Sequence, residues 1–149
     1  MKRLAGIASV ALLALALTAT SAGASLYRYF ETPDGNIACV VYKGGKRFKG
    51  GIRCDVSQHT WVAPPRPKRC EFDYGAGATL AEKGRGRYSC VSDSLNGLGK
   101  PLAPGVAAKK GPFTCKVETV PATTSFAVRC VNRRNQHGFS VSPQAIGFF

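Results

Sequence analysis

Carboxylates are scarce in this chain: 8 Asp and Glu stand against 21 Lys and Arg in 149 residues, a formal charge of +13. The imbalance directs attention to anionic partners. No two cysteines are spaced as Cys-x-x-Cys, so the close ligand pairs that a zinc site needs are missing. No serine sits in a Gly-x-Ser-x-Gly frame, and no Asn-x-Ser/Thr acceptor occurs. Only one long apolar run exists, over Ala5 to Ala19, and it is shorter than the roughly 20 residues that cross a bilayer. Past residue 24 no segment keeps a 3.6-residue apolar period for three turns, which argues against a helical fold.

What is present begins with an export signal. Lys2 and Arg3 precede the apolar run, and Ala22-Gly23-Ala24 has the small residues of a cleavage site. The reading is therefore a signal peptide over 1–24 and a single extracellular, disulfide-rich domain over 25–149. Removing Met1 to Ala24 leaves 125 residues and a charge of +11. The first cysteine is Cys39, so the leader carries no acceptor for a lipid anchor, and a twin-arginine pattern is missing. An outer-membrane barrel, suggested by the terminal Phe148-Phe149, needs at least about eight strands of ten residues, for which there is barely room.

Six cysteines in an exported chain point to three disulfides. The residues around them alternate or are rich in β-formers: Tyr27 to Phe30, Asn36 to Tyr42, Gly51 to Val56, Arg87 to Val91, Phe113 to Val117, Ser125 to Val131 and Gly138 to Val141. Turn formers separate them, among them Pro33-Asp34-Gly35, Gly44-Gly45, Asn96-Gly97 and Gly111-Pro112. The expected fold is mainly β, a small disulfide-stabilised antiparallel domain with hairpins. Helix is limited to short turns, one over Ser57 to Trp61 and one capped by Ser142 and opened by Pro143. Cys39 and Cys54 are spaced as Cys115 and Cys130 are, and Ile52-Arg53-Cys54 echoes Val128-Arg129-Cys130. Facing strands bring side chains to disulfide distance, so the expected pairs are Cys39–Cys54, Cys70–Cys90 and Cys115–Cys130; the alternative is an interleaved pairing across sheets.

Positive charge is unevenly placed. Lys43, Lys46, Arg47 and Lys49 lie between the first two cysteines, Arg66, Lys68 and Arg69 precede the third, and Lys83, Arg85 and Arg87 precede the fourth. These ten are the candidate anion-binding residues, with Phe48 and Tyr88 interleaved; the plainer reading is a solvated surface that keeps the protein soluble. Catalytic sets are thin. His59 and His137 are of the right type for a ribonuclease-like acid–base pair, but His59 beside Trp61 reads as a packed loop histidine. Glu71 and Asp73 would share one face of a strand, the residue types of a glycosidase pair, although Lys68 and Arg69 nearby suggest surface ion pairing. The stretch Trp61 to Pro67 has polyproline character and reads as a rigid connector with the tryptophan tucked into the core.

In order along the chain, Phe30-Glu31-Thr32-Pro33-Asp34-Gly35-Asn36-Ile37-Ala38-Cys39, Arg53-Cys54-Asp55-Val56, Pro64 to Cys70 with Asp73-Tyr74-Gly75, Tyr88 to Asp93, Gly111 to Cys115, Arg129 to Asn132 and His137 to Ser142 form a set. Together they resemble a family of small secreted actinobacterial proteins with six cysteines and no assigned activity. The resemblance implies export, six cysteines and one domain; it brings no cofactor and no catalytic residue. The chain departs from the resemblance in finishing on Ile146-Gly147-Phe148-Phe149, which is expected to close the core.

The sequence thus favours a non-catalytic, monomeric module, secreted and without a cofactor, metal or transmembrane segment, that meets an anionic envelope component or a protein partner through basic loops. No specific nucleic-acid motif accompanies the charge. The alternatives are a small secreted phosphodiesterase using His59 and His137, or an inhibitor presenting Thr119 to Ser125 or Pro64 to Pro67.

Overall fold

The computed structural model describes residues 25–149, and the signal expected over 1–24 lies outside them. Among the described residues there are eleven strands and no helix: β1 (Tyr27–Glu31), β2 (Ile37–Tyr42), β3 (Gly51–Val56), β4 (Asp73–Ala81), β5 (Arg87–Val91), β6 (Lys100–Pro101), β7 (Ala107–Lys110), β8 (Phe113–Thr119), β9 (Phe126–Asn132), β10 (Gly138–Val141) and β11 (Ile146–Phe148). They form a six-stranded sheet in the order β5-β4-β3-β2-β1-β6 and a five-stranded sheet in the order β11-β10-β9-β8-β7. Every pairing is antiparallel except β1 with the two-residue β6.

Alternation decides which face is inside. Phe30, Ile37, Val41, Ile52 and Leu80 of the first sheet pack with Phe113, Val117, Val128, Phe139 and Val141 of the second in one buried cluster. Burying each such side chain contributes roughly 1.5–3 kcal/mol, and the one-in-one-out pattern specifies register because a one-residue slip would expose the whole set. The three disulfides are Cys39–Cys54, Cys70–Cys90 and Cys115–Cys130, the sequential pairs that the spacing suggested. Cys39 faces Cys54 and Cys115 faces Cys130 directly across their hairpins. The two bridges meet in the centre of the core, where Cys54 Sγ and Cys130 Sγ are 3.9 Å apart, a van der Waals contact between sulfurs that carry no proton.

Three local expectations are corrected. The segment Ser57 to Trp61 is not helical: it bends at Ser57 and Gln58, where Asn36 fastens it, its Oδ1 accepting from Gln58 N and its Nδ2 donating to Gln58 O. Ser142 caps no helix; its hydroxyl accepts from Gln144 N and Ala145 N, and its own N donates to Ala145 O, closing a tight turn between β10 and β11. Glu71 precedes β4, so it does not share a strand face with Asp73, and neither carboxylate is among the ion pairs of the described residues. At the other end of the chain, Ile146 and Phe148 pack against the core as expected, while Arg129 lies 4.1 Å over the Phe149 ring. Trp61 also packs on the core, its Nε1 donating to Gly75 O at 3.3 Å.

Candidate cationic pole and aromatic groove

Register brings the basic turns together. Tyr42 faces Gly51 and Gly51 faces Ala81, so the β2–β3 and β4–β5 turns leave the first sheet side by side at one end. In the second sheet Lys110 faces Phe113 and Phe113 faces Asn132, which places the β7–β8 and β9–β10 turns together likewise. The two pairs of turns meet: Asn132 Nδ2 donates to Glu82 O at 2.9 Å, Arg134 approaches the Glu82 carboxylate at 3.7 Å, and Gly111 lies against Lys43. The resulting pole carries Lys43, Lys46, Arg47 and Lys49 on one turn, Lys83, Arg85 and Arg87 on or beside the next, Lys109 and Lys110 on the third and Arg133 and Arg134 on the fourth. That is eleven of the 19 basic residues left when Lys2 and Arg3 are set aside, against one carboxylate, Glu82. Exposed like charges within a Debye length of about 8–10 Å reinforce one another, so the pole presents a concentrated positive field.

Seven of the ten cations singled out from the sequence lie at this pole. The others, Arg66, Lys68 and Arg69, sit on the connector that runs from β3 to β4. Sequence reading missed Lys109, Lys110, Arg133 and Arg134; the turn signal Gly111-Pro112 and the Arg-Arg pair between the last strands pointed to them once the hairpins alternate ends. All ten candidates are exposed, and none is among the ion pairs of the described residues.

A groove of about 710 Å³ opens beside the edge strand β5. Arg69, Arg87, Tyr42, Tyr74, Tyr88 and Phe148 line it. Arg69 adjoins Cys70 and Arg87 lies three residues before Cys90, so the Cys70–Cys90 bridge ties the two guanidinium-bearing segments together. Tyr42 crosses β3 at Gly51, where a Cβ would stand 2.7 Å from its hydroxyl; a side chain there would push the ring away. Desolvation, then the neighbouring Tyr27, raise the Tyr42 phenol above its usual 10, with Arg53 opposing, so it stays protonated as a donor. Beyond Tyr42 the outer face continues in rings: Tyr27 stacks with Tyr42 at 5.7 Å, with Phe48 at 6.0 Å and with Tyr29 at 6.3 Å.

The middle of that outer face is held by a charge knot. Arg53 binds Asp55 at 2.7 Å and Asp93 at 2.6 Å, and Asp55 also accepts from Leu95 N. This pins Leu95 over Ala38 and Val40. Burial pulls the Arg53 pKa down, but hydrogen bonds to Asp55 and Asp93 outweigh it and leave it raised; hydrogen bonding to Arg53, then its charge, holds the Asp93 carboxyl below its usual 3.8. Here an arginine fastens a loop and is not free for a ligand.

The two histidines are not brought together. His59 stacks on Trp61 at 3.9 Å, with Nδ1 donating to Trp61 O, and its neighbour Thr60 donates to Pro143 O at the far end of β10. His137 adjoins the opposite end of that strand, so the four residues of β10, ~13 Å, lie between the two ends. Among the described residues no group of three or more His, Cys, Asp or Glu could hold a metal ion, and no helix is long and apolar enough to cross a membrane. Thr119 to Ser125 forms a hydrogen-bonded tip in which Thr123 N donates to Val120 O, and Pro64 to Arg66 are exposed. No protein-family model, curated protein or solved structure matches the chain.

Proposed function

We propose that this protein is a non-catalytic, disulfide-stabilised secreted module that engages an anionic component of the cell envelope through its cationic pole. One observation carries the reading: four turns from two sheets converge so that eleven cations share one end with a single carboxylate. A surface charged only for solubility has no need of such segregation, since dispersed charge serves as well. Three disulfides fit an oxidising compartment, and the leader over 1–24 and the resemblance to small secreted actinobacterial proteins fit the same picture. The separation of His59 from His137 removes the arrangement on which a phosphodiesterase reading depends.

The test is retention on isolated cell walls, acidic liposomes and nucleic acid across a salt series. The proposal expects strong retention at low ionic strength that falls steeply as salt screens the pole. Negligible retention of any polyanion at low salt removes its basis.

A further inference from the structure

Three of the chain's five tyrosines, Tyr27, Tyr29 and Tyr42, lie on one route across the outer face of the first sheet. Tyr29 and Tyr27 are exposed on β1, at 41% and 42%. Tyr27 stacks with Tyr42 on β2, and Tyr42 lines the groove; Tyr88, which pairs with the core-facing Ala78, lines it from the other side of the sheet, 5.9 Å from Tyr74 and 5.1 Å from Phe148. Phe48, from the cationic β2–β3 turn, joins the route at Tyr27. On the same outer face Arg87 stands on β5, four strand spacings or ~19 Å from β1. Cross-strand aromatic pairs stabilise sheets on their own account. That explains contacts between neighbouring rings, but not why Tyr27, Tyr29 and Phe48 stay more than a third exposed at the margin of the most cationic region, nor why the line ends in a groove holding Arg69 and Arg87.

Resting on the polyanion reading above, we infer that the tyrosine track and the Arg69–Arg87 groove form a binding site for an extended acidic polysaccharide. A pyranose ring has an apolar C–H face and a rim of hydroxyls. A tyrosine offers a ring face and a phenol together, which matches both. The sugar carboxylates meet Arg69 and Arg87 in the groove, where guanidinium groups can take a carboxylate by two parallel hydrogen bonds. Lys46, Arg47 and Lys49 on the adjoining turn attract the rest of the chain. A polyphosphate has charge without rings and leaves the track unused. A single-stranded nucleic acid has rings and charge, but no nucleic-acid motif accompanies the cations, and the disulfides fit a compartment outside the cytosol.

The experiment compares binding of the full exported chain to polygalacturonate, inorganic polyphosphate and oligothymidylate, matched for charge, at physiological salt. Variants are Tyr29→Ala, Tyr27→Ala, Tyr27→Phe and Arg87→Gln, each checked for native near-ultraviolet dichroism; Tyr29, exposed and away from the core, keeps the test decisive if Tyr27→Ala does not fold. Polygalacturonate is expected to bind more tightly than polyphosphate. Tyr29→Ala and Tyr27→Ala are expected to weaken it three- to tenfold while leaving polyphosphate within twofold. Equal binding of polygalacturonate and polyphosphate, with the tyrosine variants silent on both, overturns this inference and leaves the cationic-pole reading standing. Tyrosine-dependent preference for oligothymidylate also overturns it, making the occupant a nucleic acid. Failure of all three polyanions, both at physiological salt and when the comparison is repeated at low salt, overturns both proposals.

Discussion

Two double variants separate the pole from mere net charge. Lys46→Gln with Arg47→Gln removes two cations from the β2–β3 turn, whereas Lys100→Gln with Lys116→Gln removes two that lie on β6 and mid-way along β8, away from the pole. Both lower the charge of residues 25–149 equally, from +11 to +9. If polyanion binding runs through the pole, each engaged cation releases counterions, and the slope of log affinity against log salt falls by about 0.7 per cation on a single strand. The turn variant should therefore flatten the slope by about 1.4. Between 50 and 200 mM salt that amounts to a loss of affinity about sevenfold smaller than in the unaltered protein. The control variant should leave the slope unchanged. Fluorescence anisotropy of a labelled oligothymidylate, used as a polyanion with calibrated counterion behaviour, reads both. Equal flattening by the two variants refutes the reasoning, because binding would then follow total charge and not its position.

Three further expectations concern stability. Gly77→Ala would set a Cβ 2.0 Å from the Cys54 carbonyl oxygen and should cost about 2–3 kcal/mol in urea unfolding, whereas Gly147→Ala, with nothing within 4 Å, should stay within about 0.5 kcal/mol. Replacing Cys39 and Cys54 together by Ala frees a loop with a sequence separation of 15 and should cost about 3 kcal/mol, read as a lower urea midpoint. Because the folded Asp93 pKa is depressed, its pairing with Arg53 stabilises the protein above the unfolded value and is lost as pH falls through the folded one; the stability gap to Asp93→Asn should therefore be constant at neutral pH and close below about pH 4. A gap that persists into stronger acid would show that Asp93 acts through something other than its charge.

The strands that carry alternating apolar residues and a cysteine were legible from the sequence, as was the sequential disulfide pairing, because a β-hairpin writes both period and loop length into local residues. β4 was not. Its Asp73-Tyr74-Gly75-Ala76-Gly77-Ala78 start is poor in β-formers and is interrupted between Tyr74 and Ala78, where Gly75 takes a positive φ of 95° and its carbonyl accepts from Trp61. Tertiary pairing on both sides overrides the weak propensity. β6, β7 and β11 are short edge or near-edge strands, for which four or fewer residues carry too little pattern. The pole was half legible: its glycine-flanked loops were visible as charged tips, but that four turns share one end is a property of sheet order. The groove was not legible at all, since Arg69, Arg87, Tyr42 and Phe148 are scattered over the chain and meet only through the second disulfide and the last strand.

The disulfides also determine how this protein would answer to force. Cys39–Cys54 and Cys70–Cys90 close within the first sheet and its connector, and Cys115–Cys130 closes within the second, so only the main chain joins sheet to sheet covalently. A pull between Ser25 and Phe149 acts on one terminus in each sheet, and what resists it first is noncovalent packing. Even after complete unfolding, loops with separations of 15, 20 and 15 residues stay shut and hide ~170 Å of contour at about 3.4 Å per residue. Mechanically the three bridges are limiters of extension, and they leave the two halves of the sandwich free to part.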